Sequence, residues 1–586
     1  MEDITKLENR LWESADQLRV NSKLTSNEYC MPVLGLIFLR HANNRYLIVK
    51  NEIEKSLPKR GGVARPLTKD DFARKSALFL QEKSQYDYLL ENEKAKQDRA
   101  DAIIKAMETI EADYEALAGV LPKDYQIFDN DLLARLLKIF NDEVLRNTNG
   151  DVFGRIYEYF LMKFAMQGAQ DQGEFFTPVS LVQTIVNVIE PDHGIVFDPA
   201  CGSGGMFVQT SHFLETVGKS THESVTFFGQ EKTATTIRLA KMNLAVHGLE
   251  GKILEGNTFY DDNHNLLGKA NFVMANPPFN VDSVDARKIK GDPRLPFDLP
   301  GVNQKGAVSN GNYLWISYFY SYLKEKGRAG FVMSSQASSA GHGEKDVRQK
   351  IIETGDVDIM ISIRSNFFYT RSVPCDLWFF DKDKPKDKQD KVLMIDARNI
   401  FRKVTRKVYD FSPEQLQNIN SIVWLYRGQT EKFLALAKEY LLKICKECRI
   451  IPDKFVEFEK MHKTILNQVF DFKGFDESKK EEFKMIKSEW DEAFALFDKD
   501  KTSTVSLIDS YQKKWCVDLP GTNDKQHKAK ETFVPIAERI KGLIKQVDLV
   551  YKLAMRMVDY VEKELDAKNN ETWDARASNK NKKDLD

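Results

Sequence analysis

The chain has 586 residues and a formal net charge of −1, from 86 Lys and Arg against 87 Asp and Glu. This balance excludes a polycation of the histone kind, although single faces of the protein can still be basic. Six cysteines in a chain of this length exclude a disulfide-rich scaffold and favour a reducing, intracellular compartment.

The first part of the chain has the spacing of amphipathic helices. In segment 92–118, apolar residues recur every three or four positions and charged residues fill the other positions. Segments 131–146 and 152–166 repeat this pattern. We therefore predict an N-terminal helical domain over residues 1–165.

Between residues 166 and 405, short apolar runs alternate with amphipathic segments. Such alternation is typical of an α/β domain with a mainly parallel sheet. The last two runs are joined by the short charged loop 381–391, which predicts an antiparallel hairpin at the end of the sheet. The runs predicted as strands are 194–197, 224–229, 272–275, 329–333, 357–363, 373–380 and 392–395.

Helical spacing returns after the α/β domain, and it predicts a C-terminal helical region over 406–566 that is suited to contact with a partner. Residues 567–586 contain few apolar side chains and are predicted to form a disordered tail. Cys445 and Cys448 are a lone pair on a predicted helix. With no second pair nearby, a structural role is favoured over zinc binding, and we predict no metal site.

A glycine-rich segment, Asp198-Pro-Ala-Cys-Gly-Ser-Gly-Gly205, follows the first predicted strand. Its glycines allow a sharp turn and a close approach to a ligand. The Asp198 carboxylate suits a positively charged or hydroxyl-bearing ligand and does not suit a pyrophosphate. Glu231 follows the next strand, where an acidic residue can accept both hydroxyls of a ribose. Together they predict a nucleoside ligand without phosphate, whereas either alone is compatible with an empty turn.

The segment Asn276-Pro-Pro-Phe279 ends the strand 272–275. Two successive prolines hold the backbone carbonyls in fixed directions. An Asn side-chain oxygen and a fixed carbonyl can together accept both hydrogens of an exocyclic amine, and Phe279 offers a flat face on which a base can stack. The alternative interpretation is a rigid loop with a buried Phe.

A further segment, Glu174-Phe-Phe-Thr-Pro178, precedes the glycine-rich segment. Thr177 and Pro178 predict the N-cap and first turn of a helix. The buried face of this helix is predicted to carry Leu181, Val182, Ile185, Val186 and Ile189.

In this order, the three motifs resemble those of amino-group DNA methyltransferases that use S-adenosylmethionine. With helical flanks on both sides, the chain resembles the modification subunit of type I DNA restriction–modification systems, the family of N6-adenine enzymes. The fold implied is a Rossmann-like methyltransferase sheet, and no metal is required.

The methionine part of the cofactor is implied to contact Glu174, Phe175, Phe176, Thr177, Pro178, Val179, Asp198, Gly202, Ser203, Gly204 and Gly205. Glu231 is implied to bind the ribose, and Asn257, where the family often has Asp, to meet the adenine ring of the cofactor. The target adenine is implied to contact Asn276, Pro277, Pro278 and Phe279.

The resemblance implies methylation of a flipped-out adenine in double-stranded DNA by a cytoplasmic prokaryotic complex. Residues 406–586 read as helices and contain no α/β recognition domain, so sequence specificity is expected from a separate subunit that binds two modification chains. A separate restriction and translocation subunit is expected too, and no membrane segment. Three alternatives stay open: an RNA or protein-amide methyltransferase, a cytosine-N4 enzyme (which more often has Ser at position 276), and a cofactor-binding scaffold with little activity of its own.

Overall fold

A computed structural model of the chain describes residues 4–56, 59–60, 63–73, 75, 77–146, 150–172, 177–368, 372–404, 408–475, 477–570 and 573–585. The chain divides into two compact units, Met1–Asn420 and Ser421–Asp586. The finer division at residues 165 and 405 stays a prediction. Over the described ranges, no helix is both long and apolar enough to cross a membrane.

The N-terminal part of the first unit is helical, apart from one short hairpin of strands β1 (Lys59–Arg60) and β2 (Val63–Ala64). Its helices are α1 (Ile4–Val20), α2 (Ser26–Ser56), α3 (Lys69–Ala73), α4 (Tyr86–Glu91), α5 (Glu93–Gln97), α6 (Arg99–Asp113), α7 (Asn130–Ile139), α8 (Glu143–Arg146) and α9 (Gly150–Gln172).

Strands and helices then alternate along the chain, as predicted. The elements up to the fourth strand of the central sheet are α10 (Val179–Ile189), β3 (Gly194–Asp198), α11 (Gly205–Thr216), α12 (Thr221–Ser224), β4 (Val225–Glu231), α13 (Ala234–Val246), β5 (Gly251–Glu255) and β6 (Ala270–Ala275). The remaining elements of the first unit are β7 (Val284–Asp285), α14 (Ala286–Ile289), β8 (Ala307–Val308), α15 (Asn312–Tyr322), β9 (Leu323–Ser334), α16 (His342–Glu353), β10 (Val357–Ile363), β11 (Cys375–Asp381), β12 (Leu393–Asp396), β13 (Arg402–Lys403), β14 (Tyr409–Asp410) and the start of α17 (Pro413–Tyr426).

Eight strands form the central sheet in the order β12-β10-β11-β9-β6-β3-β4-β5. Strands β9, β6, β3, β4 and β5 are parallel to one another, and β11 is antiparallel to both of its neighbours. The predicted α/β fold with a mainly parallel sheet is therefore confirmed. The sequence missed β5, because three of its five residues are exposed and its apolar signal is weak.

The predicted hairpin between the last two strands is wrong. The antiparallel hairpin joins β10 and β11, and the last strand, β12, pairs in parallel with β10 at the edge of the sheet. The charged loop before β12 carries the chain there. Within it, the buried ammonium group of Lys384 donates to the backbone oxygens of Val357 and Lys391, which fixes this loop against the start of β10.

The hydrophobic core of the N-terminal helices extends onto α13 of the sheet region. This core runs from Leu7 to Phe164 and includes Met242 and Val246 of α13. In addition, Arg238 of α13 donates to the backbone oxygens of residues 120 and 121 at 3.0 and 3.2 Å. The helical part is therefore packed onto the sheet part as one body of hydrophobic contacts.

The second unit contains three long helices, α18 (Thr430–Phe470), α19 (Glu477–Tyr511) and α20 (Asn523–Lys563), and a short α21 (Ala575–Leu585). The apolar faces of α18, α19 and α20 form the core of this unit. Cys445 of α18 forms a disulfide with Cys516, whereas Cys448 is free and buried.

The structure differs from the disorder predicted for 567–586, because α21 is helical. Two hydrogen bonds attach it to Glu562, whose side chain is buried on α20. Ser578 donates to one oxygen of this carboxylate at 2.7 Å and Lys582 to the other at 2.6 Å. These polar contacts attach α21 to α20, although the segment has few apolar residues, the feature from which disorder was predicted.

Candidate active site

The side chains of three predicted motifs meet at the carboxyl ends of adjacent strands. Strands β3 and β6 are neighbours in the sheet, but the chain continues from β3 to β4 on one side and from β6 to β9 on the other, so it leaves these two strands in opposite directions along the sheet. In open α/β sheets, such a reversal point is where ligands bind. Asp198 ends β3, Glu231 ends β4 and Asn276 follows β6.

The glycine-rich loop between β3 and α11 turns through backbone conformations that favour glycine. Gly202 has φ of 50° and Gly204 has φ of 77°, and Gly204 is the N-cap of α11. The Cys201 amide donates to the Gln230 oxygen at 3.1 Å, and the Asn243 side chain donates to the Ser203 oxygen at 2.9 Å. These bonds hold the loop close to the ends of β3 and β4.

The Asp198 carboxyl group is buried, with only 1% of the residue exposed. Burial raises its pKa well above the ordinary value. The hydrogen bond from the Ala200 amide, at 3.0 Å, opposes this rise in pKa, and the charge of Glu231 adds to it. A buried carboxyl group with a raised pKa is stabilised by a ligand that brings positive charge or hydrogen-bond donors.

The Glu231 carboxylate is held by three backbone amides. Its Oε2 accepts from Gly202 at 3.1 Å, and its Oε1 accepts from Lys232 at 2.8 Å and Thr233 at 3.2 Å. This arrangement fixes the carboxylate beside the glycine-rich loop, where it lines a cavity. Each carboxylate oxygen can accept more than one hydrogen bond, so the group can still bind hydroxyls.

Asn276 contacts the motif that precedes the glycine-rich loop. Its Nδ2 donates to Thr177 Oγ at 2.8 Å, whereas its Oδ1 is buried without a hydrogen-bond partner among the described residues. The predicted N-cap role of Thr177 is therefore wrong. Pro178 is the N-cap of α10, and its side chain has no acceptor with which to cap the helix. The Thr177 hydroxyl instead accepts from the Asn276 amide. The predicted buried face of α10 is confirmed.

Phe279 is half-buried and stands beside the buried ring of Phe368, with 6.0 Å between the ring centroids and 85° between their planes. The loop that follows is fixed by Asn312, which accepts from the Asn280 amide and donates to its side chain, both at 2.8 Å. Pro277 is buried and Pro278 is exposed. Two contacts therefore hold the Asn-Pro-Pro-Phe segment on the side away from β6.

A large cavity of about 580 Å³ opens at the ends of the strands. One wall comes from the sheet region and the other from the N-terminal helices α2 and α9. The sheet side includes Gly202, Ser203, Glu231, Asn257, Asn276, Pro278 and Trp315, and the helical side includes Met31, Leu161 and Phe164.

A small cavity of about 60 Å³ lies next to the large one. Asn276, Gly202 and Ser203 line both cavities, whereas Glu231 and Asn257 line only the large one. The residues confined to the small cavity include Glu158, Thr177, Val179, Asp198, Gly205 and Gln209.

The structure brings most of the predicted site residues together, although their roles stay predictions. Glu174, Phe175 and Phe176 lie outside the described residues. The cavity residues that the motifs did not predict include Glu158 and Trp315, and Trp315 is one of many aromatic residues on α15. The signal for Glu158 was a single acidic residue on an otherwise apolar stretch of α9, where Ile156, Tyr157, Phe160 and Leu161 are buried.

Comparison with known proteins gives concordant matches. A sequence model of the N-6 DNA Methylase family matches residues 148–446, and a model of the HsdM N-terminal domain matches residues 7–140. The MjaIX type I restriction enzyme methylase subunit of Methanocaldococcus jannaschii is 36% identical over 433 residues, which are 71% of this chain and 76% of that protein. The HindI methylase subunit of Haemophilus influenzae is 34% identical over 336 residues, 55% of this chain and 73% of that protein.

Among solved structures, the methyltransferase subunit of a type I restriction-modification system from Streptococcus thermophilus matches with a TM-score of 0.60. It is 20% identical, and the match covers 72% of this chain and 93% of that one. At this identity the likeness concerns the fold alone.

Proposed function

Because this chain belongs to the N-6 DNA methylase family of type I restriction enzyme methylase subunits, we propose that it methylates N6 of adenine in double-stranded DNA with S-adenosylmethionine. The single observation that carries this proposal is the buried, unpartnered Oδ1 of Asn276 between the two adjoining cavities.

The two cavities fit the two ends of the proposed cofactor. In the large cavity, the Glu231 carboxylate suits the two ribose hydroxyls and the Asn257 side chain suits the adenine ring. The small cavity, with Asp198 and Thr177, has the polar groups that the methionine end needs. When bound, S-adenosylmethionine supplies a methyl group activated by a sulfonium centre.

The residues around Asn276 suit a weakly nucleophilic amine. The lone pair of adenine N6 is delocalised into the ring, so the amine needs groups that accept hydrogen bonds from it and orient it. The bond from Asn276 Nδ2 to Thr177 fixes the orientation of the amide, and Oδ1 has no partner among the described residues, so Oδ1 can accept one hydrogen of the amine. The fixed Pro277 carbonyl is suited to accept the other. Such preorganised groups act through position and electrostatics.

Adenine N6 is hidden inside duplex DNA, so the base must rotate out of the stack to reach this site. Phe279, whose ring makes an edge-to-face contact with Phe368, offers a stacking face at the site. The proposed target pocket therefore consists of Asn276, Pro277, Pro278 and Phe279.

The curated relatives are named as methylase subunits of type I restriction enzymes. We propose that this chain also acts within a complex, where a separate subunit supplies DNA sequence specificity and another supplies restriction. The helices α18, α19 and α20 are the surface we expect such partners to contact. The names of the relatives favour an active methylase over a silent scaffold or an RNA or protein-amide enzyme.

The purified chain is expected to methylate DNA poorly by itself and efficiently once its co-encoded specificity partner is added. The reason is that the described helices after residue 413 form no separate recognition domain. Transfer of labelled methyl groups to duplex DNA, followed by mapping of modified bases, measures this. Efficient site-specific methylation by the single chain would contradict the partner requirement, and modified cytosine would contradict the choice of base.

Replacing Glu231 with alanine is expected to weaken S-adenosylmethionine binding by about 1.5–3 kcal/mol, the contribution of hydrogen bonds to a charged group. The carboxylate is fixed by three amides, so little rearrangement can compensate for its loss. Isothermal calorimetry measures the change. Glu255→Ala is a matched control, since Glu255 is exposed at the end of neighbouring β5. Unchanged affinity in Glu231→Ala would remove Glu231 from the cofactor site.

A further inference from the structure

The small cavity contains an acidic residue that comes from the helical region and not from the sheet. Glu158 lies on α9, about 40 residues before the glycine-rich loop, and lines this cavity together with Thr177, Asp198 and Gly205. It does not line the large cavity, where Glu231 lies. The two carboxylates therefore line different, adjoining cavities.

A relay of two amides holds the Glu158 carboxylate in place. Gln183 Nε2 donates to Gln209 Oε1 at 3.2 Å, and Gln209 Nε2 donates to Glu158 Oε1 at 3.3 Å. The first bond fixes which end of the Gln209 amide faces Glu158. The carboxylate is thus positioned by residues of α10 and α11, two helices that flank the glycine-rich loop.

No cation in the described part of the chain pairs with Glu158. Arg155, one turn earlier on α9, forms its ion pair with Glu8 at 3.1 Å instead. Burial raises the pKa of Glu158 to about 7, and the hydrogen bond from Gln209 and the charge of Arg155 do not offset it. Glu158 is half-buried, and a carboxylate withdrawn from solvent without a counterion is stabilised by a ligand that supplies positive charge.

We propose that Glu158 binds the α-ammonium group of the methionine part of S-adenosylmethionine in the small cavity. This inference rests on the proposed function. The ligand has hydroxyls at its nucleoside end and a primary ammonium at its amino-acid end. Glu231 lines the large cavity, and Glu158 lines the small cavity beside the fully buried Asp198. The helical region before the sheet thus contributes a charged residue to cofactor binding.

The test compares S-adenosylmethionine with a ligand that has the same nucleoside but lacks the amino-acid part and the sulfonium charge. Calorimetry is performed on the full chain with S-adenosylmethionine and with 5′-deoxy-5′-methylthioadenosine, which has no α-ammonium group. Glu158→Gln is expected to weaken binding of the first ligand by about 10- to 100-fold, as for loss of a charge-assisted hydrogen bond. The affinity of Glu158→Gln for the second ligand is expected to stay within about twofold, and such retained binding also shows that this variant is folded.

Two further variants complete the experiment. Glu215→Gln removes the same charge from an exposed position on α11 and is expected to change neither affinity. Glu158→Asp keeps the charge and is expected to recover part of the lost affinity. Equal changes for both ligands in Glu158→Gln, or no change, would overturn this inference alone. Failure of the unaltered chain to bind either ligand would overturn the proposed function along with it.

Discussion

Replacing Asn276 with alanine is expected to lower the rate of methyl transfer by about 10²–10³, the usual effect of removing one preorganised acceptor or donor at a reacting centre. The affinity for S-adenosylmethionine is expected to stay within about twofold, which is less than ~0.5 kcal/mol. The physical reason is that Asn276 Oδ1 has no partner in the described structure and is free for the target amine, whereas Nδ2 is bound to Thr177.

The measurement is single-turnover methylation by the reconstituted complex, with cofactor titration in parallel. Asn187→Ala is the matched control, because this half-buried Asn lies on α10 and donates only to the backbone of its own helix, at 2.7 Å. Near-normal methylation by Asn276→Ala would exclude the proposed target-base role. Loss of cofactor binding together with activity would instead assign Asn276 to the cofactor.

Replacing Arg294 with methionine is expected to lower the free energy of unfolding by about 3–5 kcal/mol, the cost of breaking a buried ion pair from one side. Arg294 is 3% exposed and pairs with Asp292 at 2.6 Å. It also donates to the backbone oxygens of Thr258 and Asp261 at 3.0 and 2.9 Å. Methionine replaces the aliphatic part of the side chain but leaves the Thr258 oxygen without this donor and Asp261 with only the donor from Gln230 among the described residues.

Arg294→Met is also expected to weaken cofactor binding, because Thr258 directly follows Asn257 in the wall of the large cavity. Urea unfolding monitored by circular dichroism measures the stability. Arg287→Met is the matched control: Arg287 pairs with Asp285 in the same way, but its side chain is 84% exposed, and an exposed pair contributes about 0–1 kcal/mol. Equal losses in the two variants would contradict the structural role of Arg294.

Sequence motifs predicted the fold and the central site where residues follow strands. Asp198, Glu231 and Asn276 were predicted because a change from apolar run to polar residue marks a strand end, and parallel strands end at one edge. The family expected from these motifs is confirmed by the comparisons. Residue-by-residue roles at the site stay predictions.

The remaining features depend on contacts between distant segments. The pairing of β12 with β10 follows from a loop held by Lys384, and a loop of that length also permits a hairpin. The bond between Thr177 and Asn276 joins residues 99 positions apart, so a local helix-cap pattern took precedence in the sequence analysis. Glu158 was not predicted as a site residue, because it belongs to no motif and lies on a helix that the sequence assigns to the N-terminal helical domain.

The wall that α2 and α9 contribute to the large cavity limits how far this enzyme can be reduced in size. A fragment starting at α10 would lack Met31 and Phe164, leave Met242 and Val246 of α13 without their packing partners, and open the large cavity to water. A folded fragment with an intact large cavity therefore has to include α2 and α9.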